Sequence, residues 1–311
     1  QTEAEALKHE MGMSADNEIE VEEAYFRTLA LPAGLSVKGG QFFSGFGYLN
    51  EVHAHAWDFI DQPLAYQAFF GGQMAQVGLQ AKWLAPTDLV LEFGAETGSG
   101  EFFPGTRLEG NGVNGTALYA HTGGDIGDAI AWRAGLSWVD LDAEERSFEQ
   151  ENALGEATQS AFSGSSRTWV VDATLKWTAA GDSRRRYLKL QGEYMDRTED
   201  GDLACVSDVV TSPCLGGVAL GDLRSRQTGG YAQAVWQFMP QWRVGYRYDW
   251  LGSGSKHYVP ATVYAALDPA NAYFARYRPQ RHSLMADWSL DEFSRLRLQL
   301  VEVPESVEPA A

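Results

Sequence analysis

The tightest constraint on this chain is a spacing of two. Trp169, Val171, Ala173, Leu175 and Trp177 occupy alternate positions, and Asp172, Thr174 and Lys176 lie among those between them. A pleated strand points successive side chains to opposite faces, so this segment has one apolar and one polar side. Aromatic residues close both ends of the apolar side, as they do in a membrane strand that meets two interfaces. No apolar run approaches the ~18 residues that a spanning helix needs. A chain of this kind crosses a bilayer with strands.

The pattern recurs along the sequence. Leu79, Ala81 and Trp83 alternate with Gln80 and Lys82, and Leu89, Leu91, Phe93 and Ala95 face away from Glu92 and Glu96. Ile130, Trp132, Ala134, Leu136 and Trp138 alternate with Arg133, Gly135 and Ser137. Leu188, Leu190 and Tyr194 oppose Lys189, Gln191 and Glu193, while Ala232, Ala234, Trp236 and Phe238 oppose Tyr231, Gln233 and Gln237. Trp242, Val244, Tyr246, Tyr248 and Trp250 alternate with Arg243, Gly245, Arg247 and Asp249, and Leu296, Leu298 and Leu300 with Arg295, Arg297 and Gln299. The segments 21–31, 35–43, 116–124 and 281–289 are less regular but compatible. About twelve strands of roughly 9–11 residues result, the length a tilted strand needs to cross a bilayer. Short turns alternate with long loops at 44–76, 98–115, 140–166, 197–227 and 252–280. A β-sandwich would concentrate its bulk at mid-strand and lacks this alternation of connections.

The expected fold is therefore all-β: a transmembrane antiparallel up-and-down β-barrel over 19–303, with a polar surface segment at 1–18 and a polar tail or loop remnant at 304–311. The first strand enters a short turn and the last one leaves a short turn, which puts both ends of the chain on the loop side. With an even strand count and periplasmic termini as the rule, an odd number of strands is expected to be missing at each end, giving about sixteen in all. The start shows no basic and apolar leader, so any secretion signal is expected to have been removed or left out of this chain.

Composition narrows the partners. Forty-two acidic against 24 basic residues give a formal charge of −18, which excludes a phosphate-binding, nucleic-acid surface and suits divalent cations or cationic solutes. Cys205 and Cys214 share one polar stretch; an oxidising compartment would close them into a small loop disulfide, the alternative being two thiols.

Four stretches resemble bacterial outer-membrane proteins known as zinc-regulated TonB-dependent outer-membrane receptors: 31–43 (LPAGLSVKGGQFF), 44–64 (SGFGYLNEVHAHAWDFIDQPL), 83–96 (WLAPTDLVLEFGAE) and 282–299 (HSLMADWSLDEFSRLRLQ). The resemblance spans most of 20–302, and HAHAWDF is its most specific part. It implies a bacterial (Gram-negative) outer-membrane barrel with further strands on both sides. TonB-dependent transporters also carry a plug within a 22-stranded barrel; neither is visible in these 311 residues.

Within the same stretch, His53 and His55 stand two apart, followed by Asp58 and Asp61. In an extended segment both imidazoles would lie on one side and could share zinc if Asp58, Asp61 or a distant histidine joined them. The favoured reading is a packed loop that folds into the barrel mouth and narrows it. The polar faces contribute Lys82, Glu92, Glu96, Arg133, Asp172, Lys176, Lys189, Glu193, Arg243, Arg247, Asp249, Arg295 and Arg297, which would line a hydrated lumen or pair across it. Acidic runs at 140–146 and 196–202 read as solvated loops, with calcium or cation-bridged lipopolysaccharide as their partners; neither has EF-hand spacing. No nucleophile–base motif points to an enzyme. The expected function is a porin-like channel for small hydrophilic solutes or ions, embedded in outer-membrane lipid and open to homo-oligomerisation. The alternatives are zinc uptake and a non-conducting barrel that scaffolds a surface assembly.

Overall fold

The computed structural model describes residues 21–303 except 30, 107–112, 152–156, 180–185, 207–217, 253, 260–277 and 291–293. They form one antiparallel sheet in which each strand pairs with its neighbours in sequence. The strands are β1 (Ala24–Arg27), β2 (Leu35–Phe43), β3 (Ala75–Leu84), β4 (Val90–Gly98), β5 (Gly115–Ile126), β6 (Ile130–Glu151), β7 (Ala157–Thr178), β8 (Tyr187–Val206), β9 (Val218–Met239), β10 (Trp242–Leu251), β11 (Ser255–Val259), β12 (Gln280–Ser289) and β13 (Arg295–Glu302). Strand β11 leaves the main path and pairs with β9: Leu251 faces Gly229 and Ser255 faces Arg226, a shift of one residue. Strands β10 and β11 are thus one strand interrupted by a bulge, and the path has twelve. Among the described residues β1 and β13 do not pair with each other.

The alternation read from the sequence becomes two physically different faces. On β7, Trp169 and Val171 are half exposed, whereas Val170 and Asp172, at the alternate positions, are buried. The outward apolar row has no protein cover, which is the condition of a strand solvated by lipid. Its lower edge carries stacked aromatic pairs near the short turns, Trp83 with Phe93 and Trp242 with Trp288. Its upper edge includes Trp138 and Trp169, directly opposite one another.

Above that edge the outward row changes chemistry. On β8 it passes from Leu188, Leu190 and Tyr194 to Asp196, Thr198, Asp200 and Asp202; on β9 it passes from Trp236 and Ala234 to Arg226 and Arg224. This corrects the expected loops at 140–166 and 197–227. Strands β6 to β9 run 20 to 22 residues, and most of both stretches forms the outer halves of two hairpins. Beyond the bilayer the ladder still satisfies the backbone, but no apolar row is required, so the alternation signal fades while the strand continues. The acidic runs lie within these strands. Asp140 faces Arg167 at 3.4 Å, Asp200 faces Arg224 at 2.9 Å and Asp196 binds Arg226 at 2.5 Å.

Cys205 lies on β8 opposite Ala219 of β9, while Cys214, and with it the expected disulfide, falls outside the described residues. So do 1–18, 304–311 and most of the expected loop 252–280.

Candidate functional site inside the barrel

The connection between β2 and β3 turns inward. Residues 44–74 hold a helix, α1 (Leu64–Phe70), which Gly71 ends in the left-handed conformation. Phe46, Leu49, Trp57, Ala65, Tyr66, Phe69, Phe70 and Met74 pack into one buried cluster with Ala117, Val139, Leu141, Val170, Met195 and Tyr231 of the wall. Phe59 packs separately with Val235 and Met285. The wall's inner face thus offers an apolar patch to the segment's rings, and Arg197 and Arg247 lie over the rings of Phe69 and Phe59.

Asn50 ties the segment's two ends together. Its Nδ2 donates to the carbonyls of Ser44 (2.7 Å) and Met74 (2.9 Å), and its Oδ1 accepts from Met74 N–H at 2.8 Å. Glu96 accepts from Ser44 Oγ, Gly45 N–H and Gln80 at 2.5–2.7 Å. Glu193 accepts from Leu49 N–H, Tyr66 OH and Tyr231 OH at 2.8–2.9 Å. Gly47 has φ +64°, and a Cβ there would collide with the Glu193 carboxylate.

The far end is held by charge. Asp58 receives Lys189 at 2.9 Å, Arg243 at 3.2 Å and Gln233 at 3.2 Å. Asp61 meets Arg247 at 3.0 Å, Arg281 at 2.7 Å and Gln299 at 2.5 Å. Burial alone would raise the Asp61 carboxyl, but Arg247, Gln299 and Arg281 outweigh it and hold it below its ordinary 3.8. Arg297 donates to the Trp57 carbonyl at 2.8 Å, and Gln299 accepts from Ile60 N–H at 2.7 Å. The segment thus reaches from β2 to β13 across the interior.

Of the thirteen charged residues on the polar faces, eight grip this segment: Lys82 (through Glu51), Glu96, Arg133 (through the Gly47 carbonyl), Lys189, Glu193, Arg243, Arg247 and Arg297. The other five contact the wall. Glu92 meets His121 at 3.3 Å, Asp172 lies 3.9 Å from Arg133, and Asp249 binds Arg247 and Arg281 at 2.9 and 3.1 Å. Arg295 lies 3.7 Å from Asp287, and Lys176 sits 4.7 Å over the Tyr187 ring. Asp287, fully buried, also binds Arg243 and Arg297.

His53 and His55 come together, their rings stacked at 5.7 Å between centroids. His53 Nε2 lies 3.0 Å from Glu23 and its Nδ1 3.4 Å from Glu22. Asp58 does not join them: its carboxylate is committed to Lys189 and Arg243. Among the described residues no group of three or more His, Cys, Asp or Glu is arranged to hold a metal. Sequence reasoning missed Asn50, Tyr66, Arg281 and Asp287. The signal for a buried segment was nevertheless present, since Phe46, Tyr48, Trp57, Phe59, Tyr66, Phe69 and Phe70 are too many rings for an exposed loop.

The segment leaves a polar cavity of about 310 Å³ beside the inner faces of β1–β3, bordered by Glu51 and His53.

No family model matches the chain. It is 34% identical over 298 residues to an uncharacterised protein of Aquifex aeolicus (strain VF5), covering 90% of this chain; it spans 56% of that protein's length. Among solved structures, outer-membrane expressed OmpT of Vibrio cholerae matches with a TM-score of 0.51 and 10% identity, covering 91% of this chain and 70% of that one. Pseudomonas putida OprB matches with a TM-score of 0.46 and 17% identity, covering 89% and 66%. The OmpT likeness shows the fold, and with the uncovered apolar face it identifies an outer-membrane β-barrel. None of these three matches carries the name of a TonB-dependent receptor.

Proposed function

We propose that the chain forms the wall and the constriction of an outer-membrane channel through which small hydrophilic solutes or ions pass passively. The observation that carries this reading is a charged inner face of both signs, narrowed by a segment of the wall's own chain and retaining a polar cavity beside it. A water-filled lumen with fixed charges admits hydrated solutes and biases them by sign. The filling element is the β2–β3 connection itself, anchored at both ends, which favours a fixed constriction over a plug displaced by an energised partner.

The full-length protein in planar bilayers should give discrete conductance steps. A protein that inserts and never conducts defeats the proposal.

A second reading, zinc uptake through His53 and His55, draws on their stacked rings and the neighbouring Glu22 and Glu23. Zinc calorimetry on the wild type and on the His53→Ala/His55→Ala pair tests it, and indistinguishable titrations end it.

A further inference from the structure

We propose that the cavity beside β1–β3 binds a small oxyanion, a carboxylate or a phosphate, between Arg27 and Lys38. The proposal deepens the channel reading, and rests on it, by naming the class of solute that the lumen selects.

The argument begins with register. Arg27 of β1 stands directly opposite Lys38 of β2, and like charges so placed destabilise a sheet. Several other cations of the inner wall meet carboxylates: Lys82 with Glu51, Lys189 with Asp58, Arg247 with Asp61. Among the described residues neither Arg27 nor Lys38 forms an ion pair. The Lys38 ammonium lies over the Tyr25 and Phe42 rings at 4.5 and 5.3 Å, with the carboxylates of Glu51, Glu23 and Glu96 in its field but beyond ion-pair distance. The two carboxylates that border the cavity are already engaged. Glu51 binds Lys82, and Glu23 accepts Phe43 N–H at 3.0 Å and faces His53.

Arg27, Lys38 and Lys82 line the hollow against two carboxylates, Glu23 and Glu51, so one positive charge is in excess and an anion balances it. The guanidinium fork suits two oxygens of a carboxylate or phosphate, and the ammonium adds a point charge. Ser36 and Gln80 line the same space as further polar partners. A volume of about 310 Å³ equals roughly ten waters at ~30 Å³ each, room for a small organic anion but not for a polymer.

The test uses the full-length protein in detergent, titrated calorimetrically with inorganic phosphate and with acetate at constant chloride. Saturable binding is expected, weakened at least tenfold in Arg27→Gln/Lys38→Gln and retained in Lys38→Arg; the relative affinity for the two anions decides which oxyanion class the site prefers. A wild type that binds neither anion, or a double variant that binds both as well as the wild type, overturns the site. Folding of each variant is verified by its heat-dependent gel migration. The same samples in planar bilayers keep the two readings apart. Conductance without anion binding overturns the site and leaves the channel, whereas anion binding without conductance keeps the site and removes the channel.

Discussion

At the scale of single residues, the interior is controlled by a few buried groups that each satisfy several partners. Asn50 makes three hydrogen bonds with no exposure to water. Asn50→Ala takes the side-chain partner from the Met74 N–H and the Ser44 carbonyl, while the Met74 carbonyl keeps the Ser44 N–H at 3.0 Å; a buried group left unsatisfied costs about 1–3 kcal/mol. The expected readout is faster proteolysis between 44 and 74 and a larger single-channel conductance, with the barrel still inserted. Asp61 supplies a pH dependence whose sign is fixed. Its folded carboxyl titrates below its ordinary 3.8, so its anchoring is complete above that value and declines only as pH falls through the lower, folded one. Conductance recorded against pH should therefore show segment release below about pH 4, and Asp61→Asn should remove the transition. An opening step near neutrality that survives Asp61→Asn would assign the control to another group.

The elements show where the membrane stops. Strands β6 to β9 carry apolar outward rows up to Trp138, Trp169 and Tyr194, and charged rows beyond. Val171→Arg places a charge among lipid tails and is expected to cost about 2–4 kcal/mol in unfolding from vesicles. Thr198→Arg, on the same face but above the aromatic edge, is expected to change stability by no more than about 0.5 kcal/mol. Equal effects at the two positions would move the boundary. The β6–β7 hairpin is equally divisible. Ser147 and Ala161 are opposite one another, so an Asn-Gly turn in place of 148–160 should join them without disturbing the register below. Assembly into the membrane should survive that replacement, judged by the heat-dependent mobility of the folded barrel.

For the whole molecule, the formal charge of −18 and the cationic pair in the lumen are compatible because they occupy different places. Many of the acidic side chains sit on strand extensions beyond the bilayer, where they meet arginines and electrolyte. Such charges are screened over about 10 Å at 0.1 M salt. Much of the membrane wall was legible from residues alone: the period of two, the aromatic strand ends and the polar inner rows follow from pleat geometry and from lipid, both of which act locally on each strand. Locality also explains what was lost. Above the aromatic edge no lipid enforces alternation, so 140–151 and 197–206 read as loops although they pair as strands. That the 44–76 connection packs into the barrel mouth was read from its sequence, but its partners there were decided by the tertiary structure. Whether Asp58 meets His53 or Lys189, and whether Val139, Val170 and Met195 face water or Phe69, depends on how a 31-residue connection folds back across a curved sheet. The segment and its partners on the wall are up to about 240 residues apart along the chain, as Trp57 and Arg297 are, and only the folding of the sheet around the segment brings them within bonding distance.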